Sequence, residues 1–250
     1  MDGDNGGDKM SNDIGISNLI VEVTRRCNME CFHCARGDTE PIDINLQYID
    51  TLFQKVNGIW LIAFTGGEPS LVPHLISEIV DIAESYIVEF SDFYIATNGK
   101  KITPEFIMAI TKLYCYCSDN EISQIQWSNT PYHEDVSPEN IRFLDAFKFY
   151  SPKYSKEFPF TQKEKYIVAE GRARDWGKRT ALTGLSIEED NITEGEIYLN
   201  CEGNIIAGCN WSYESQRNPE NIICSVDEFS LEKVEEFITK NTKEEERLCV

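Results

Sequence analysis

Three cysteines fall within one short stretch, Cys27-Asn28-Met29-Glu30-Cys31-Phe32-His33-Cys34, with the spacing C-x3-C-x2-C. Thiolates this close can each hold a different iron of a cubane cluster, leaving the fourth iron without a protein ligand and open to a second molecule. Zinc is the competing chemistry, because Cys3His is a recognised structural set. His33 is the nearby candidate for a fourth ligand, but neighbouring side chains such as His33 and Cys34 converge poorly on one ion. Arg25, Arg26, Asn28 and Glu30 make the stretch a polar loop, which unrelated buried thiols would not explain.

The run Thr24-Arg25-Arg26-Cys27-Asn28-Met29-Glu30-Cys31-Phe32-His33-Cys34 resembles the signature loop of the radical S-adenosylmethionine (SAM) superfamily. Thr65-Gly66-Gly67-Glu68-Pro69 resembles that family's GGEP motif, and one helix and one strand separate the two. The resemblance runs on through Thr97-Asn98-Gly99 and Ser128 to Gly171-Arg172-Ala173, covering residues 18–176. It implies an α/β fold, a partial (β/α)6 TIM-like barrel, with a [4Fe–4S] cluster on Cys27, Cys31 and Cys34 at its mouth. It also implies that SAM chelates the unique iron and is cleaved reductively to methionine and a 5′-deoxyadenosyl radical, which abstracts a substrate hydrogen.

Within that resemblance, Gly66 and Gly67 let the backbone approach the cofactor, and Glu68 accepts a hydrogen bond from its ammonium. His33 lies beside the adenine, while Thr97, Asn98 and Ser128 serve ribose, carboxylate or substrate. Arg172 could hold a carboxylate in two-pronged fashion. Thr97-Asn98-Gly99 also suits a plain strand-end turn, and Arg172 a surface ion pair.

Residues of this kind need elements to aim them. Leu19-Ile20-Val21-Glu22-Val23-Thr24 reads as a buried strand ahead of the cysteine loop. Helical spacing over 43–56 leads to a second strand at 60–65. Pro73 opens a helix over 73–88 in which Leu75, Ile76, Ile79, Val80, Ala83, Tyr86 and Ile87 form the inward stripe. Strand three is 93–97. Thr103-Pro104 then caps and starts a helix with Phe106, Ile107, Ile110, Leu113 and Tyr114 inward. Strand four spans 122–128, and Ser137-Pro138 starts a further helix. Strands five and six are expected at 146–150 and 165–169. Such alternation implies a parallel sheet with helices outside and chemistry at the C-terminal strand ends.

Residues 1–17 are rich in Gly, Asp and Asn and read as a flexible tail. From 177 onward the pattern changes to an extension, with a hairpin of 196–199 and 204–207 across Gly203 and a terminal helix over 230–246. Residues 198–211 resemble the start of SPASM/Twitch regions, which bind auxiliary clusters. Here Cys201, Cys209, Cys224 and Cys249 are scattered, with no C-x2-C after Cys34. A second iron–sulfur cluster on those four and ordinary core cysteines both stay open. Cys115 and Cys117 point to different faces of a helix and read as incidental. His74 and His133 have no evident catalytic partner. Trp176, Trp211 and Tyr213 could pack the extension on the barrel or close its mouth.

The chain carries 43 acidic against 23 basic side chains, a net charge of −20, which disfavours a nucleic-acid partner. No apolar run approaches the ~20 residues of a membrane span, and the start lacks a signal peptide's basic and apolar segments. A cytoplasmic location is therefore expected, where nine cysteines suggest metal or redox chemistry rather than disulfides.

The resemblance implies a peptide or small-molecule substrate and an electron donor such as flavodoxin or ferredoxin. The Gly171-Arg172-Ala173 segment and the hairpin point toward maturation of a ribosomal peptide or a small-molecule cofactor. Against peptide maturation stands the expectation of no room for a peptide-binding domain before Asn18, a function that a separate binding partner could supply. The rivals are a glycyl-radical-enzyme activase, a deazaguanine-synthase-like enzyme, and a non-catalytic iron–sulfur or structural metal module.

Overall fold

The computed structural model describes residues 14–128, 132–147, 150–152, 168–175 and 184–248, with the side chains of 150–152 and 243–248 left aside. Five parallel strands alternate with four helices in it. These are β1 (Ile14–Thr24), α1 (Leu46–Phe53), β2 (Val56–Gly66), α2 (Pro73–Tyr86), β3 (Glu89–Thr97), α3 (Pro104–Tyr116), β4 (Gln124–Trp127), α4 (Pro138–Asp145) and β5 (Tyr150–Pro152). The hairpin β6 (Ser186–Glu188)–β7 (Asn191–Glu194) follows, then β8 (Ile197–Leu199), β9 (Asn204–Ala207), β10 (Ile222–Ser225) and α5 (Leu231–Leu248).

The helices start where local chemistry says they should. Asn45, Thr103 and Ser137 each accept a hydrogen bond from a first-turn backbone N–H, and α2 begins on Pro73. Leu19, Val21 and Val23 of β1 share the helix-side core with Ile62, Phe64, Phe93 and Ile95. The alternate residues Ile20 and Ala63 face the other way, where they meet Tyr198 and Ile206. Every parallel strand therefore ends on the same edge, the edge that carries the cysteine loop.

Several sequence expectations are corrected. Residues 14–17 are strand rather than tail, because Ile14, Gly15 and Ile16 pair with β2, and Gly15 and Ile16 also pair with β7. Strand five begins at Tyr150, since Ala146 still caps α4. Ile87 is 80% exposed at φ 57°, ending α2 in the left-handed region, and Tyr114 is also exposed. Residues 165–167 of the expected sixth strand lie outside the described residues, as does Trp176.

The C-terminal strands are not a separate layer. β8 pairs with β1 in parallel, and β9 and β10 continue the same sheet in the order β10-β9-β8-β1-β2-β3-β4-β5. The extension thus grows directly from the strand that leads into the cysteines.

Candidate cluster and cofactor site

The cysteine loop leaves β1 at Thr24 and is pinned at once to the end of β2. Gly67 donates its N–H to the Thr24 carbonyl at 2.7 Å, and Glu68 donates to the Arg26 carbonyl at 2.8 Å. The contact requires glycine. A Cβ on Gly66, whose φ is +138°, would lie 2.0 Å from the Thr24 oxygen, and one on Gly67 would lie 2.1 Å from the Arg26 oxygen. The root of the cysteine loop packs against this bare backbone.

Glu68 is almost fully buried. Its carboxylate accepts from Thr97 Oγ1 at 2.7 Å, the Asn98 N–H at 2.7 Å and the Ser70 N–H at 3.0 Å. Burial raises its pKa against the lowering effect of those donors. In this structure Glu68 ties the end of β2 to the end of β3, a role sequence reasoning missed.

Asn98 carries the link onward. Its Nδ2 donates to Asn28 Oδ1 at 2.8 Å and stands 3.7 Å from Cys27 Sγ. Ser128 donates its N–H to the Thr97 carbonyl at 2.9 Å, extending the β3–β4 pairing to the same edge. Lys100 reaches the Asn28 carbonyl at 2.9 Å and also pairs with Glu134.

The other flank of the loop meets the Gly171-Arg172-Ala173 turn. Arg172 donates its N–H to the Cys34 carbonyl at 3.0 Å; its Nε is buried with no hydrogen-bond partner, and its guanidinium lies 3.6 Å from an exposed Asp38 carboxylate. His33 sits edge-on to His133, with ring centroids 4.8 Å apart, and 5.1 Å from Tyr132. Burial, with Arg172 nearby, pushes the His33 pKa down to about 4, so the ring is neutral at physiological pH. His133 is thereby placed at the mouth, whereas His74 is an exposed residue in the first turn of α2.

The donor set fits a cubane. Burial first, then the charges of Cys34 and Cys27, push Cys31 up to about 11, and Cys27 is raised mainly by burial. Thiols that oppose one another's ionisation in this way are relieved by bound cationic metal. Among the described residues no three His, Cys, Asp or Glu side chains converge as ligands of a single ion. A cubane does not ask for that convergence, because each thiolate takes its own iron. Cys27, Cys31 and Cys34 would hold the cluster, with Asn98 beside the Cys27 sulfur.

Among the described residues, Cys201, Cys209 and Cys224 are not gathered into one group. Cys201 and Cys224 are side chains of the apolar core, and the Cys201 sulfur lies 3.1 Å from the Glu22 carbonyl. Cys209 stands past the far end of β9, away from the hairpin turn that holds Cys201. Burial raises the pKa of all three thiols. Cys249 lies outside the described residues. Cys115 is exposed and Cys117 buried, as opposite helix faces require.

The C-terminal segment instead meets the base of the cysteine loop through a charged network invisible to sequence reading. Arg25 has no exposed side-chain surface. It donates from Nε to Glu22 at 2.7 Å, from Nη1 to Glu40 at 2.8 Å, and from Nη2 to Gln216 at 2.9 Å and Glu202 at 3.2 Å. Its guanidinium stacks 4.7 Å from the Tyr213 ring centre. Glu22 also accepts from the Tyr198 hydroxyl at 2.7 Å, Gln216 Nε2 at 2.9 Å and the Cys201 N–H at 3.1 Å. Arg217 grips Glu40 with two nitrogens, at 2.9 and 2.6 Å, and Glu202 with a third at 2.9 Å. Arg36 lies over the Tyr198 ring and donates to the Trp211 carbonyl at 2.7 Å. Tyr213 and Trp211 thus pack the extension onto the loop, the packing alternative of the two expected.

Residues 21–117 match the model of the Radical SAM superfamily, and this segment is a radical SAM superfamily domain. The cofactors of that superfamily are a [4Fe–4S] cluster and SAM. An uncharacterized protein of Methanocaldococcus jannaschii, MJ0907, is 35% identical over 104 residues, 40% of this chain and 36% of its own. A probable GTP 3′,8-cyclase of Archaeoglobus fulgidus is 32% identical over 88 residues, 34% of this chain and 28% of its own. The chain thus spans about a third of the length of these curated relatives. Among solved structures, native anSMEcpe with bound AdoMet and Cp18Cys peptide aligns over 88% of this chain and 79% of that one, at 11% identity and a TM-score of 0.46. Among the described residues no helix is long and apolar enough to cross a membrane.

Proposed function

We propose that the chain is a radical SAM enzyme that cleaves SAM at a [4Fe–4S] cluster on Cys27, Cys31 and Cys34 and abstracts a hydrogen from a peptide or small-molecule substrate. The observation that carries the reading is the fixation of the cysteine loop on the C-terminal ends of β2 and β3, through Gly67 and Asn98. The bound cluster and SAM would supply one-electron cleavage of a C–S bond. The chain's part is to hold the ligands, orient SAM and keep water away. Thr97 and Asn98 stand at the strand edge beside the cysteines. Ser128 and His33 flank them, and Arg172 offers the unpartnered Nε for an anionic group.

The substrate would meet the face of the sheet away from the helices, where the partly buried Tyr94, Trp211 and Ile222 form an apolar wall over the buried Ile20, Ala63, Tyr198 and Ile206. Such a wall suits a substrate with an apolar part and shields a radical from stray donors. A ribosomal peptide or a small-molecule cofactor precursor are the substrates proposed, a small molecule being supported by the probable GTP 3′,8-cyclase relatives. An electron donor such as flavodoxin or ferredoxin is the partner.

Anaerobic reconstitution with iron and sulfide, then reductant and SAM, tests the reading. Formation of 5′-deoxyadenosine and methionine is expected. A loaded cluster that leaves SAM intact refutes the catalytic claim. Cys31→Ala should abolish the cluster while Cys115→Ala leaves it, and equal loss in both would overturn the ligand assignment.

A further inference from the structure

The cysteine loop is closed at its base by Arg25 and Glu40. Their backbones pair, Glu40 N–H to the Arg25 carbonyl at 3.2 Å, and their side chains join at 2.8 Å. Everything that ligates the cluster lies between these two residues. What holds the base shut comes largely from one distant stretch of chain. Glu202 and Gln216 bind Arg25 directly, Arg217 grips Glu40 and Glu202 together, and Tyr213 stacks on the guanidinium. The Tyr213 N–H also donates to the Arg36 carbonyl at 3.0 Å, just beyond Cys34. Four of the five hydrogens of the Arg25 fork are thus directed at fixed acceptors from three parts of the chain, and a fully buried guanidinium held in this way cannot swing without leaving charges unpaired.

We propose that segment 200–217 is a clamp that holds the cysteine loop through Arg25, making Arg25, Gln216 and Arg217 positioning residues for the iron–sulfur cluster. The inference rests on the cluster reading above and adds a role for the extension, which mechanically secures the radical-generating site. Each of the three acts by fixing where the loop's two ends stand.

The test uses the full chain, reconstituted anaerobically without SAM. Wild type, Arg217→Ala, Gln216→Ala, Arg217→Lys and Arg174→Ala are compared. The readouts are iron per chain, the rate of cluster loss to a ferrous chelator, the EPR spectrum of the reduced cluster, and the melting temperature. Arg174 is the control, since it pairs with Glu214 on the same surface but outside the network. Arg217→Ala and Gln216→Ala should lose cluster several-fold faster than wild type with an altered EPR line shape, at a temperature where both remain folded. Arg217→Lys should recover part of the retention, and Arg174→Ala should match wild type.

Should a variant fail to fold, Glu202→Gln, at a partly exposed position, tests the same clamp by the same readouts. Wild-type rates and spectra in the folded clamp variants, or equal acceleration in Arg174→Ala, would overturn the proposal while leaving the cluster reading intact. A wild-type chain that takes up no iron–sulfur cluster would instead overturn the reading on which it rests.

Discussion

The cysteine loop is held on two sides by different physics. Toward β2 the hold is steric and made of backbone, since Gly66 and Gly67 leave room for Thr24 and Arg26 and nothing larger than hydrogen fits. Toward the C-terminal strands the hold is ionic and made of side chains, with Arg25 at its centre. The first grip is written in a local motif and tolerates almost no substitution. The second is assembled from residues that any surface helix might carry, and it works only because the fold buries them together. A motif can therefore be intact while the site it marks is loose.

The largest effect is expected from removing the centre of the ionic side. Arg25→Met leaves Glu22 buried without its guanidinium, and breaking a fully buried pair costs about 3–5 kcal/mol. Chemical denaturation of the cluster-free chain measures it. A loss below about 1 kcal/mol, the size of a surface ion pair, would mean that the network is not a clamp. On the steric side, Gly67→Ala should cost about 1–3 kcal/mol as an overpacking change. Because the displaced atoms are the root of the loop itself, the variant should also fail to retain iron after reconstitution. Normal iron with lowered stability would show that the loop finds its geometry without the β2 contact.

What the sequence showed and hid follows the same division. The cysteine spacing, the Gly66-Gly67-Glu68-Pro69 turn, the capped helices and the parallel sheet all lie in local patterns, so periodicity and spacing exposed them. The network does not. Arg25 and Gln216 are 191 positions apart, and Gln216 and Glu22 are 194 apart. Among 43 acidic residues nothing marks Glu22, Glu40 and Glu202 as the three that meet. One clue was available: Glu22 is a charge inside a run of β-branched and leucine residues, and a buried carboxylate needs partners. Likewise a motif names residue types and not the direction in which a side chain points, so the bonds that Glu68 accepts from Thr97, Asn98 and Ser70 were hidden.

Acidification offers a gentler probe of the ionic side. Burial works to raise the Glu22 pKa, but the Arg25 and Arg36 charges and the Tyr198 hydroxyl together outweigh it and hold the carboxyl below its ordinary value of 4.5. Glu40 is held down likewise, chiefly by its hydrogen bonds from Arg217. A depressed carboxyl contributes stability above the unfolded value and loses it as pH falls through the folded one. The melting temperature of the wild type should therefore drop on going below about pH 4.5, and Glu22→Gln should start lower at neutral pH but fall less steeply. Parallel curves would mean that Glu22 does not titrate with unfolding.

The smallest effect is expected where sequence suggested a second cluster. Cys201 and Cys224 fill core space between strands and α-side apolar residues, and Cys209 stands at the other end of the hairpin. Replacing any one by Ala removes a single sulfur, a cost of about 1 kcal/mol or less for a small core truncation. It should leave the iron stoichiometry of the reconstituted chain unchanged. The triple substitution Cys27→Ala, Cys31→Ala and Cys34→Ala should bring iron down to background, because its loss removes every thiolate in the only loop built to hold a cubane among the described residues. Retention of about four irons in that triple variant would establish a second site. In that event the C-terminal segment would be a metal-binding region that forms only when iron is present.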